Sequence, residues 1–92
     1  LQAFINEGPG YLDNEITVDE KSSKNSAFHQ IVYEPYGVTA CIVAWNFPIS
    51  NFIWGVIPNL IAGNPVIFKH SEECPLLGKL AEEMMDELNL PK

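Results

Sequence analysis

Hydrophobic positions along these 92 residues fall into two regimes that meet near Glu34. Upstream they are sparse. Ile16 and Val18 alternate with polar neighbours in Glu15–Glu20, the period-two pattern of a half-buried strand. Lys21–Ser26 is polar and reads as a connection, and Ala27–Tyr33 returns with Phe28, Ile31, Val32 and Tyr33, all strand formers. Glu34-Pro35-Tyr36-Gly37 then ends the strand with turn residues. Residues 1–34 therefore predict the tail of a helix, Leu1–Asn6, followed by a β-hairpin.

Downstream the apolar positions become dense. Val38–Ala44 is an unbroken apolar or neutral run, which predicts a strand covered on both faces. Ile49, Phe52, Ile53, Val56, Ile57, Leu60 and Ile61 recur at helical spacing. Pro48 suits the first turn of that helix, whereas Pro58 removes an interior hydrogen bond and predicts a kink. Gly63-Asn64-Pro65 is a stop, with Gly63 suited to the left-handed cap. Val66-Ile67-Phe68 is a second buried strand. A last helix opens at Pro75, with Leu76, Leu77, Leu80, Ala81, Met84 and Leu88 inward and Glu82, Glu83, Asp86 and Glu87 wet.

Strand, helix, strand, helix with short joints specifies a right-handed βαβα unit. The fold class is α/β: part of a Rossmann-like parallel sheet, preceded by a β-hairpin. Two parallel strands cannot have both faces covered by two helices, so the domain is incomplete and more sheet comes from a parent protein or a partner. Leu1 and Leu90-Pro91-Lys92 abut helices directly, which also fits a fragment.

Composition narrows the function. Apolar residues form 47% of the chain and charged ones 18%, a globular balance. No apolar run approaches the roughly 18 residues of a membrane span, and no signal peptide opens the chain. A net charge of −7 with five unclustered Lys and Arg residues argues against nucleic acid as a partner. Cys41 and Cys74 are isolated from each other, as expected in a reducing cytoplasm. His29 and His70 have no companion ligands at suitable spacing, so no metal site is expected and both read as surface residues. Cys41 belongs to an apolar run and reads as a small buried hydrophobe. No base or motif surrounds Cys74, so neither thiol is a nucleophile. There is no G-x-G-x-x-G and no P-loop.

In open α/β sheets, ligands bind beyond the carboxyl ends of the strands. Ala44-Trp45-Asn46-Phe47-Pro48 follows the first strand and Lys69-His70-Ser71-Glu72 the second, so both should share one rim. Taken alone, Asn46 fits either a donor at that rim or a cap for the next helix. Lys69 and Glu72 equally fit charges at a helix entrance.

Glu34-Pro35-Tyr36-Gly37-Val38, Trp45-Asn46-Phe47-Pro48, Ala62-Gly63-Asn64-Pro65-Val66 and Lys69-His70-Ser71-Glu72 together resemble, in order and spacing, the aldehyde dehydrogenase superfamily. The resemblance covers essentially the whole chain and is strongest from Tyr33 to Pro91. Around Gly63–Ile67 and Lys69-His70 the wording is similar to bacterial succinate-semialdehyde dehydrogenases. It implies that the Asn46 amide donates to the oxyanion formed when a thiolate attacks an aldehyde. Losing one such donor typically costs about 3–4 kcal/mol of barrier. It further implies that Lys69 and Glu72, with Ser71 beside them, meet the adenosine ribose of NAD, and that Val43, Ala44 and Trp45 offer backbone contacts on the nicotinamide side. A carboxylate accepts from both ribose hydroxyls and repels a 2′-phosphate, so NAD is expected over NADP, with NADP possible. Ala44 and His70 each stand where many relatives carry Pro, and the first loosens the turn that positions Asn46.

The resemblance thus implies a fragment of an oxidoreductase that oxidises an aldehyde, succinate semialdehyde being one candidate, to the acid. The family's nucleophilic Cys and general-base Glu lie outside these residues, so the fragment alone should be inactive. Residues 1–34 would belong to an oligomerisation element of a homo-oligomer, its edges seeking another subunit, and residues 35–92 to part of the NAD-binding domain. Two alternatives stand beside this: a non-catalytic truncated relative serving as an assembly module, and an acyl-phosphate reductase on the same scaffold. Trp45–Pro48 argues against the second.

Overall fold

Val66–Lys69 (β4) lies parallel to Thr39–Ile42 (β3), and the segment between them forms the helix Pro48–Ile61 (α2). The helix Pro75–Glu87 (α3) follows β4. These elements come from a computed structural model that describes residues 1–19 and 28–89. Upstream, a short helix Gln2–Glu7 (α1) runs into a 3-10 turn, Gly8–Leu12, and an antiparallel pair follows: Glu15–Asp19 (β1) and Phe28–Ile31 (β2). The expected α/β class is therefore present: a parallel βαβα unit preceded by a hairpin. β2 ends at Ile31, short of the predicted Tyr33, while Glu20, Ala27 and the expected connection, Lys21–Ser26, lie outside the described residues. Among the described residues no helix is long and apolar enough to cross a membrane.

The core is small and lies on one side of β3 and β4. Phe52 and Val56 of α2 and Ala81 of α3 are buried, with Ile53, Val66, Phe68 and Met85 packed against them. Phe52 meets Phe68 edge-on at a centroid distance of 5.0 Å. Burying Phe52 and Val56 contributes about 1.5–3 kcal/mol each. Both helices contribute to this one cluster, so the other face of the strands stays bare: Ile42 is 74% and Ile67 64% exposed. The expectation of a strand covered on both faces is thus corrected within this chain. Alternation along β3 and β4 leaves every second residue open because no second layer is present among the described residues.

Two further expectations are corrected. On α3, Ala81 is buried and Leu77 and Met85 are half-buried, while Leu76, Leu80, Met84 and Leu88 face outward. The small residues Gly78 and Ala81 let α3 approach the core along their own line, which turns the larger side chains away. Ile16 is 60% exposed rather than half-buried, because nothing among the described residues covers it, and the ladder shifts register between Ile16 and Val18. The radius of gyration, 18.5 Å, exceeds the roughly 12 Å of a compact domain of this length. One core does not gather the chain.

α2 continues through Pro58 as a single helix. Beside the missing N–H, Asn59 Nδ2 donates to the Gly55 carbonyl at 2.8 Å. Gly63 then takes φ +77, as its place after the helix predicts. The next residue, Asn64, is buried, and its Oδ1 accepts the Gly37 N–H at 3.1 Å. Thr39 N donates to Pro65 O at 2.8 Å immediately afterwards. Asn64 thereby ties the entrance of β3 to that of β4. Asn64→Ala would leave the Gly37 N–H unpaired and should destabilise the intact protein by about 1–2 kcal/mol. A denaturation midpoint equal to that of the unaltered protein would show the tie to be idle.

Candidate functional site

The ladder fixes where the loops begin. Ile42 lies opposite Lys69, and Val43 N donates to Lys69 O at 3.1 Å, one step beyond the strands. Two segments therefore leave the sheet at the same end, 43–47 from β3 and 70–74 from β4. They also meet across the gap: the Cys74 thiol donates to the Trp45 carbonyl at 3.8 Å. A cavity of about 390 Å³ lined by Trp45, Glu73 and Cys74 lies there.

In the first segment, Asn51, one turn into α2, holds the chain twice. Its side-chain amide donates to Ala44 O at 3.3 Å, and its N–H donates to Phe47 O at 2.8 Å. Phe47 is the N-cap of α2, and no side chain caps that helix end. The exposed amide of Asn46 is therefore not engaged in capping, and of the two uses open to it, the cap is removed. Trp45 and Phe47 on either side are 62% and 64% exposed, two large apolar rings flanking a free amide.

The second segment is tied largely to itself. Lys69 Nζ lies 3.7 Å from Glu72 Oε2 and donates to His70 O at 3.1 Å. The Glu72 carboxyl is held below the usual carboxylate range by its own backbone N–H and then by the Lys69 ammonium, so it is an open anion near neutral pH. Ser71 is buried; its hydroxyl accepts the Glu73 N–H at 3.3 Å and its carbonyl the Cys74 N–H at 3.0 Å. Its side chain thus braces the loop from inside, while Lys69 and Glu72 stand in the open.

Two further residues depart from or refine expectation. His29 is exposed, but His70 is half-buried, its ring lying against Gly78 of α3. Cys41 is half-buried with its sulfur directly on Gly55 of α2. The positioning roles of Asn51, Asn64 and Ser71 have no signature in hydrophobic periodicity. Only Asn64, between Gly63 and Pro65, occupied a place marked as structural beforehand.

The rim thus carries a free neutral amide on one loop and a lysine–carboxylate pair on its neighbour. The first can donate to an oxygen that gains negative charge, and the second can read a diol edge. Comparison with known proteins identifies a family. The model of the aldehyde dehydrogenase family matches residues 3–92. A betaine aldehyde dehydrogenase of Vibrio vulnificus (strain YJ016) is 38% identical over 80 residues, 87% of this chain and 16% of that protein. A mitochondrial benzaldehyde dehydrogenase of Antirrhinum majus is 41% identical over 63 residues, 68% of this chain and 12% of that protein. The chain therefore spans less than one fifth of the length of these relatives. No solved structure matches.

Proposed function

Because the chain belongs to the aldehyde dehydrogenase family, we propose that it is part of an enzyme that oxidises an aldehyde to its carboxylic acid, with NAD as acceptor and water as the oxygen source. The net change is aldehyde, NAD⁺ and water to acid, NADH and a proton. A cysteine outside these residues adds to the carbonyl carbon, whose oxygen then carries the charge. Asn46 meets that oxygen. The observation that supports this most is the in-register parallel ladder, which sends the segment bearing an unengaged Asn46 and the segment bearing Lys69 and Glu72 off the same sheet end.

The rim fits NAD by the chemistry of its donor set. Glu72, anionic and open, accepts from the two ribose hydroxyls, and Lys69 donates to the same edge. Ser71 serves this contact by bracing the loop. Val43, Ala44 and Trp45 supply backbone groups, and the exposed rings of Trp45 and Phe47 exclude water around Asn46 once covered. NAD when bound supplies the hydride acceptor. The substrate is an aldehyde; relatives named for betaine aldehyde and for benzaldehyde match almost equally well, and succinate semialdehyde is one member of the same class. Residues 35–92 belong to the cofactor domain and residues 1–34 to an oligomerisation element of a cytoplasmic homo-oligomer.

The direct test is NADH formation by the intact enzyme with a panel of aldehydes, together with the continuing gene sequence, which must supply a Cys and a Glu. Glu72→Gln removes the charge that opposes a 2′-phosphate. It should raise the ratio of kcat/KM for NADP over NAD about fivefold, the equivalent of about 1 kcal/mol of relieved repulsion. An unaltered ratio would remove Glu72 from the ribose.

A further inference from the structure

We infer that His70 and Gly78 form a matched clamp that positions the Lys69/Glu72 pair, making His70 a positioning residue for cofactor affinity; this rests on the ribose role proposed for that pair. Three contacts converge on His70. Its Nδ1 lies 2.8 Å from Ser71 O. A carbonyl only accepts, so Nδ1 carries the proton and donates. Its own carbonyl accepts Lys69 Nζ at 3.1 Å. The Ser71 whose carbonyl it holds is buried and receives the Glu73 and Cys74 N–H groups. On the third side the ring occupies the space where a β-carbon at position 78 would stand, and that carbon would meet Cδ2, Nε2 and Cγ.

The position of the ring therefore depends on the absence of a side chain at residue 78, and the loop's internal hydrogen bonds depend on the ring. Lys69 and Glu72 sit immediately on either side of the His70-Ser71 pair, with most of their surface open. Glu72 itself is held by its own backbone N–H and by the ion pair with Lys69. The loop braced by His70 is consequently the support through which Glu72 is presented. An alanine at 78 favours the helix by itself, so any loss it causes at the loop comes from displacement of the imidazole.

The test compares Gly78→Ala, His70→Ala and the double variant in the intact enzyme. Alanine at position 70 removes both the Nδ1 donor and the ring atoms that a new β-carbon at 78 would strike, so the second substitution has nothing left to displace. Gly78→Ala should raise the KM for NAD about five- to tenfold, the size of one lost hydrogen bond, with kcat at saturating NAD within about twofold. His70→Ala should raise it to a similar extent, and the double variant should stay within about twofold of His70→Ala. A double variant impaired by the product of the two single effects, or a Gly78→Ala enzyme with unaltered KM, overturns the clamp. Hydrogen exchange provides a readout independent of cofactor: the Glu73 and Cys74 amides should exchange faster in Gly78→Ala and in His70→Ala, with no further rise in the double variant. Unaltered exchange overturns the clamp whether or not NAD binds. An unaltered enzyme that binds no NAD overturns the ribose role while exchange still scores the clamp.

Discussion

Asn46→Ala is expected to lower kcat of the intact enzyme about 10²–10³-fold, because one donor to a developing oxyanion is worth roughly that much. The effect belongs to the transition state. The aldehyde oxygen is a weak acceptor before attack and an alkoxide after it, so the lost interaction strengthens along the reaction path. KM for NAD should stay within about twofold, since Asn46 leads into α2 whereas Lys69 and Glu72 leave β4. Asn46→Asp, nearly the same shape but anionic, should be no better than alanine, as a carboxylate cannot donate and repels the oxyanion. Fold is preserved in both variants: the α2 N-cap is Phe47 and needs no side chain from position 46. Steady-state NADH formation measures both constants. An alanine enzyme keeping more than a third of its turnover would end the catalytic assignment of Asn46.

Gly55→Val should destabilise the intact protein by about 3 kcal/mol, the upper range for overpacking a close contact. A β-carbon at position 55 would collide with the Cys41 sulfur, so α2 rests on β3 through a notch that only glycine provides. Cys41→Ala removes the obstructing atom at a cost of about 1 kcal/mol on its own. The double variant should then be more stable than the sum of the two losses by about 1 kcal/mol or more, the mark of neighbours in contact. Denaturant midpoints give all four corners of the cycle, and strict additivity would show that the notch carries no strain. Turnover should fall as well, because α2 lifted from β3 takes Asn51 with it, and Asn51 holds both Ala44 and Phe47.

The βαβα unit was legible in the sequence because two helical repeats and two short apolar runs are separated by strong punctuation, Pro48, Gly63-Asn64-Pro65 and Pro75. The shared rim followed from that topology together with the placement of Asn46, Lys69 and Glu72 just past the strand ends. What was not legible depends on distance through space. The inward line of α3 follows its small residues, Gly78 and Ala81, because close approach there is limited by side-chain bulk; hydrophobicity alone pointed to Leu76 and Leu80, which face out. His70 read as a surface residue because its partner, the empty side of Gly78, lies eight positions along the chain and is defined by an atom that is missing. The inward turn of the Ser71 hydroxyl toward Glu73 likewise leaves no mark in the sequence.

The pairing of Ile42 with Lys69 acts as a ruler for the two halves of the chemistry. Sliding β4 by a single residue would reverse its pleat, sending Phe68 out of the core and Lys69 into it. A slip of two residues keeps the faces but carries Glu72 roughly 6.6 Å past Asn46, more than a ribose contact can absorb. Asn64 at one end of the ladder and the Cys74–Trp45 contact at the other therefore guard a spacing as well as the fold. Under the proposed function, a change in that spacing would leave cofactor and oxyanion donor addressing different molecules.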